Sequence, residues 1–208
     1  MLVELRDQLL KAKLRPGDSI RPDEAAKEFG MSALPVREAL RVLVAEGRVD
    51  YAPHRGYWVK SHSLADVEEI FLMCRLLEAE ALRRGVAAMD AAAVARMETL
   101  LRELEAMPTK GNEWEKVAVH REFHFVPIVH AGLPRLEAEL RRLWDHTDHY
   151  RGLHYFADEA PYITMRHDHG NLFEACAAGD AEAVVRLMDA HRDHALDIVR
   201  AGFEAGGG

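Results

Sequence analysis

The chain has 208 residues, of which 49% are hydrophobic and 30% charged, with a formal net charge of −8. That much apolar material supplies one large core or two modest ones and excludes a disordered chain, while the lack of any window of roughly 18 apolar residues excludes a membrane span. Charges at Glu4, Arg6, Asp7, Lys11 and Lys13 interrupt the opening stretch, so no signal peptide is expected; the two cysteines, Cys74 and Cys176, are too few for a disulfide framework and fit free core thiols in a reducing cytoplasm.

The acid lies at one end. Residues 1–62 hold 11 Lys and Arg against 9 Asp and Glu, a balance of +2 that leaves −10 for the remainder. A mildly basic segment joined to an acidic body suits a DNA-reading module carried by a domain that does not read DNA.

In chain order, residues 2–13 predict a short helix ended by Arg15-Pro16-Gly17-Asp18. Pro22 opens a second helix through Phe29, and Gly30 stops it. Ser32 stands where an N-cap belongs for a third helix to about Ala45, with Val36, Leu40 and Leu43 on its inner face. Arg37 and Arg41, four apart, share a different face that is open to a partner. After Glu46-Gly47, Val49 and Tyr51 alternate as a strand, Pro53-His54-Arg55-Gly56 turns, and Tyr57-Trp58-Val59 returns as a second strand, which makes a wing.

From Ser63 onward the periodicity is helical. Ile70, Met73 and Leu77 are expected on the buried face of a helix over 64–84, and Val94, Met97, Leu101 and Leu104 on that of a helix over 90–106. Breaks at Pro108–Gly111, Gly132-Leu133-Pro134, the Pro161 region and Gly179-Asp180 delimit four more helices near 113–131, 134–151, 161–178 and 180–202. The fold class is therefore mainly α: an N-terminal winged helix-turn-helix over 1–62 and an antiparallel all-helical bundle over 63–208.

In a helix-turn-helix the second helix of the pair enters the major groove, so its N-terminal residues meet base edges. A small three-helix unit with solvated arginines has the same outline, and the outline alone leaves both readings open. The particular string is more informative: residues 2–60 resemble the winged helix-turn-helix of the GntR regulators, with the serine cap at Ser32, the Pro35-Val36-Arg37-Glu38-Ala39-Leu40 run and Glu46-Gly47 all in place. The resemblance implies that Ser32, Pro35 and Arg37 approach DNA, with His54, Arg55 and Gly56 at a wing tip directed to the minor groove. Two positions depart from the family pattern, Ala33 and Asp23, where members carry arginine.

Histidine is the second signal, with 12 in the chain. His130, His146, His149 and His154 are expected on solvated faces. His120 and His124 lie one helical turn apart on the stripe of Val117 and Ile128 and should point inward. His169 precedes Gly179 by about as much as His191 follows Asp180, so a helical hairpin turning there sets the two at one height, and His191 shares a face with Val184, Leu187 and Met188. Buried imidazoles need partners. A metal ion satisfies several together; hydrogen bonds to carbonyls or carboxylates do the same one by one, and spacing alone allows either.

Residues 63–202 are similar to the ligand-sensing FCD domain of the FadR-like GntR branch, in its six-helix form. The family's metal-holding pattern of Asp-x-x-x-His, a later His and a His on the last helix is met by His124, His169 and His191, with His120 in the place of the aspartate. The resemblance implies a divalent transition metal, and four imidazoles favour zinc or nickel over calcium or magnesium. Neutral ligands leave the ion its full charge, so a small organic acid is the expected effector, with no residues assigned to it. The family often has an arginine where this chain has Cys74, with Arg75 next door, and Asn where it has Leu133. A homodimer on double-stranded operator DNA, with no membrane partner, follows from the resemblance and from the two-fold symmetry of half-site recognition. An enzyme is not expected, because a zinc hydrolase needs a carboxylate base and Glu122 should face away from His124. The remaining alternative is a metal- or ligand-binding protein whose DNA-reading residues have been lost at Asp23 and Ala33.

Overall fold

A computed structural model of the chain describes residues 14, 16–108, 113–152 and 159–205. The helix expected over 2–13, His154 and the glycines of the tail lie outside the described residues. The chain divides into two compact units at Ser63–Leu64.

In the first unit β1 (Ser19–Ile20) precedes α1 (Pro22–Glu28) and α2 (Ala33–Ala45), and β2 (Val49–Ala52) and β3 (Gly56–Val59) close it. Pro22 sits at the first position of α1, where its missing N–H is not needed, and Gly30 takes φ +63° between the two helices. Ser32 has the extended backbone of an N-cap, but its side chain makes no capping hydrogen bond, so the expected cap is one of position only. Val36, Leu40 and Leu43 are fully buried with Ile20, Val49 and Val59, whereas Arg37 and Arg41 are exposed. The hairpin β2–β3 pairs Val49 with Val59 and Tyr51 with Tyr57. The two-residue β1, absent from the sequence reading, pairs antiparallel with β3 and gives the order β1-β3-β2. Ser19–Ile20 is too short to show an alternation; the pairing of Ser19 with Trp58 creates it.

The second unit is an antiparallel bundle of six helices: α3 (Leu64–Ala88), α4 (Ala91–Ala106), α5 (Glu113–His130), α6 (Pro134–Tyr150), α7 (Glu159–Ala177) and α8 (Ala181–Glu204). Asp90 and Asp180 cap α4 and α8 by accepting the N–H groups of Ala93 (2.8 Å) and Ala183 (2.9 Å). Helix α3 packs on α5, α6 and α8, and its buried side runs through Val67, Ile70, Phe71, Cys74, Glu78, Ala81 and Leu82. Met73 and Leu77 are only half-buried, as is Val94 on α4, where Ala93 and Leu100 are the buried neighbours. Ile70 on α3 and Met97, Leu101 and Leu104 on α4 are buried as expected; the other positions differ because small and polar residues (Cys74, Glu78, Ala93) take core positions that an apolar pattern does not mark.

One contact sets how closely α3 meets α5. Pro127 is buried inside α5, and a Cβ added to Gly85 would lie 1.8 Å from its carbonyl oxygen. Only glycine lets the two backbones meet there. Among the described residues no helix is long and apolar enough to cross a membrane.

A candidate metal centre and its neighbouring cavity

Helix α5 carries His120 and His124 one turn apart, and both are buried with Val117, Phe123 and Ile128. Helices α7 and α8 form the hairpin through Gly179, at φ +71°, and bring His169 and His191 to one level, with ring centroids 4.8 Å apart. The four histidines singled out in the sequence converge: one ring nitrogen from each lies within 4.8 Å of all the others, in a fully buried group. The Nε2 of His124 is 3.1 Å from that of His120 and 3.0 Å from that of His169, and the Nε2 of His120 is 3.5 Å from that of His191.

These contacts test the donor set. A neutral imidazole nitrogen offers either one proton or one lone pair, so neither His124 Nε2 nor His120 Nε2, each with two nitrogen neighbours, can serve both fully. A cation that accepts every lone pair resolves this. Zinc with nitrogen at 2.0–2.1 Å has ligand–ligand edges of about 3.3 Å when tetrahedral, within the range observed. Burial, the largest cause, and then the mutual repulsion of neighbouring rings hold His120, His124 and His169 well below the ordinary histidine range; burial also lowers His191 against the opposing pull of Asp168. All four are neutral near pH 7, the form that ligates.

Asp168, which the sequence reading missed, completes the surroundings. Its Oδ2 is 3.3 Å from His191 Nδ1 and 3.0 Å from His194 Nδ1. Burial acts to raise this carboxyl, but the hydrogen bonds from His191 and His194 outweigh it and hold it below the usual carboxylate range.

Beside the cluster lies a small cavity, about 20 Å³, lined in part by His120, His191, Arg151, Arg192, Glu78 and Trp144. It is room for one or two waters, so any larger occupant must displace side chains. Glu78, 1% exposed, accepts from the Arg192 guanidinium and from the Trp144 indole N–H (2.7 Å). Arg151, in the wider turn that ends α6, donates to Thr147 (2.6 Å) and Asp148 (2.9 Å) and lies 4.1 Å over the Trp144 ring. Cys74 also lines the cavity, with its thiol pushed up to about 12 by burial and by Glu78. Arg75 turns away to Asp189 and Asp193 on the surface. The guanidiniums beside the cluster are therefore Arg151 and Arg192, neither of them marked by a motif.

Outside the cluster, His130 is half-buried and bonded through Nδ1 to Val126 O, and His146 is half-buried near the exposed Arg142, so both keep partial access to solvent. Glu122 is exposed and paired with Arg96 at 2.5 Å, turned away from His124 as expected. In the first unit, His54, with φ +67°, and Arg55 are exposed, and Gly56 takes φ +82°. Arg55 stacks 4.0 Å over the Trp58 ring. Arg37 Nη2 donates to Asp23 Oδ1 at 3.4 Å.

Comparison with known proteins places both units. Residues 3–59 match the model of the bacterial regulatory proteins of the gntR family, and residues 69–194 match the FCD domain. The chain is 26% identical over 204 residues to the HTH-type transcriptional regulator YdhC of Bacillus subtilis, covering 98% of this chain and 91% of that protein. It is 28% identical over 206 residues to the HTH-type transcriptional repressor GlaR of Escherichia coli, covering 94% and 92%. Among solved structures, E. coli McbR/YncC superposes with a TM-score of 0.86 at 24% identity over 97% of this chain and 96% of that one, which is a likeness of fold.

Proposed function

Because this chain belongs to the gntR family of bacterial regulatory proteins and carries an FCD domain, we propose that it is a homodimeric, cytoplasmic transcription regulator whose helical unit holds a divalent transition metal and responds to a small organic acid. That it is a transcription regulator and not an enzyme follows from its relatives and its fold. The observation that carries the metal reading is the convergence of four buried, neutral imidazoles.

His120, His124, His169 and His191 would hold the ion, zinc or nickel by the softness of the set. When bound, it supplies a Lewis-acidic, doubly positive point beside the cavity. Arg151 and Arg192 add two guanidiniums, and the combination favours a carboxylate over a neutral or cationic ligand. The size of the cavity limits what enters without rearrangement to a group about as large as one carboxylate. In the first unit Ser32, Pro35 and Arg37 would meet the major groove and His54, Arg55 and Gly56 the minor groove. The exposure of Arg37, His54 and Arg55 supports this assignment. Leu72 and Leu76, exposed one turn apart on α3, offer apolar surface for a second copy.

The test is a mobility-shift titration on the DNA upstream of the chain's own gene, with zinc-loaded and zinc-stripped protein and a panel of small carboxylates. The proposal expects saturable binding to a two-fold-symmetric site, altered by a carboxylate only in the loaded protein. Binding without sequence preference, or an equal response of the stripped protein, would overturn it.

A further inference from the structure

We infer that Asp168 is a positioning residue of the metal centre: its carboxylate fixes which nitrogen of His191 faces the other three imidazoles, and His194 holds that carboxylate in place. The inference rests on the metal reading above and concerns residues on which that reading is silent.

Asp168 immediately precedes His169 on α7, so consecutive side chains of one helix serve the centre in two ways. His169 enters it, while Asp168, about 100° around the helix, reaches α8. There it meets two imidazoles three residues apart, at 3.3 Å from His191 Nδ1 and 3.0 Å from His194 Nδ1. A carboxylate only accepts. The nitrogen of His191 that faces it therefore carries the ring's single proton, and the lone pair is left on Nε2, the atom that lies 3.5 Å from His120 Nε2. Without Asp168 the proton is free to move to Nε2, which would then point an N–H into the cluster and oppose a cation. Fixing the tautomer of a ligating histidine through its outer nitrogen is a general means of raising metal affinity.

Exposure falls stepwise along this path. His194 is 50% exposed, Asp168 21% and His191 4%. His194 therefore supplies a second N–H to the same oxygen from the solvent side and restricts the rotation of the carboxylate.

The experiment uses the full chain and zinc, titrated against a competing chelator, together with long-range nitrogen–proton spectra of the imidazoles in the zinc-free protein. Asp168→Asn should weaken zinc binding about 10- to 100-fold. In the same variant the His191 ring should pass from a single Nδ1–H form to a mixture with Nε2–H. A purely structural role would lower the melting temperature of the zinc-free protein without moving that signature. His194→Ala, at a half-exposed site, should fold normally and show a smaller loss in the same direction. Unchanged zinc affinity and an unchanged His191 tautomer in Asp168→Asn would overturn the inference while leaving the centre intact. Failure of the wild-type chain to take up zinc would instead overturn the metal reading on which it rests.

Discussion

Replacing Glu78 by alanine should be among the most damaging single changes in the helical unit. Glu78 and Arg192 are 1% and 6% exposed, and the same carboxylate also accepts the Trp144 indole N–H. Removing one member of a buried ion pair costs about 3–5 kcal/mol, because the other charge stays buried, and an orphaned buried donor such as the indole adds about 1–3 kcal/mol. Arg192 keeps Asp189 at 2.7 Å, and Asp189 is half-exposed, which moves the total to the lower end, about 3–4 kcal/mol. For a unit of about 150 residues this corresponds to a melting temperature lower by about 10 °C. Thermal unfolding followed by circular dichroism on zinc-free protein reads it. Glu78→Leu with Arg192→Met removes both charges and should recover most of the loss. A Glu78→Ala variant within 1 kcal/mol of wild type, or a double variant as unstable as the sum of the singles, would refute the reasoning.

Arg37→Ala should abolish most specific DNA binding, measured by mobility shift; unchanged affinity for the same site would remove α2 from the reading role. Asp23→Asn removes a carboxylate that lies 3.4 Å from the Arg37 guanidinium and would compete with DNA for it, so DNA affinity should rise; an unaltered affinity would show that the pair does not matter on DNA. Gly85→Ala forces α3 and α5 apart at Pro127 and should destabilise the bundle by about 3 kcal/mol in denaturant unfolding, the upper end for overpacking; a neutral variant would contradict the close approach. The four cluster histidines are held below the unfolded value of about 6.5. The unfolded chain therefore binds more protons as the pH falls below that value, and zinc-free stability, full above about pH 6.5, should decline through the folded values. Because the ligands resist protonation, bound zinc should leave only as the pH falls through their folded values, below the ordinary histidine range; a metal indicator dye would detect release, and a zinc content that never responds to acid would speak against imidazole ligation.

What the sequence revealed follows from how local each signal is. The helix-turn-helix, the wing and the histidine pairs are set by spacings within one helix or one hairpin, and Val36, Leu40, Leu43, His120 and His124 stand where those spacings put them. The meeting of His169 and His191 needed only a symmetric turn at Gly179. Asp168 and Arg192 could not be found this way, because each is defined by a residue on another helix; Arg151 bonds within its own helix to Thr147 and Asp148, and all three resemble ordinary surface charges in the sequence. The Arg75 position shows the same limit: one residue's rotation on α3 sends it to Asp189 and Asp193 and leaves Cys74 facing the cavity. The hydroxyl of Ser32, free of a capping bond, stands on an exposed residue at the start of α2. Its position was evident from the sequence; the missing bond was not.

The central claim is tested most directly by elemental analysis of gently purified protein with four variants beside it. The account predicts about one zinc or nickel ion per chain, in keeping with a single four-ligand site. The content should fall in His169→Ala and again in His191→Ala, and should be unchanged in His146→Ala, which lies outside the cluster. Metal-free wild-type protein that cannot be reloaded, or full occupancy in the double variant His169→Ala/His191→Ala, would contradict it and leave four hydrogen-bonded core histidines in its place.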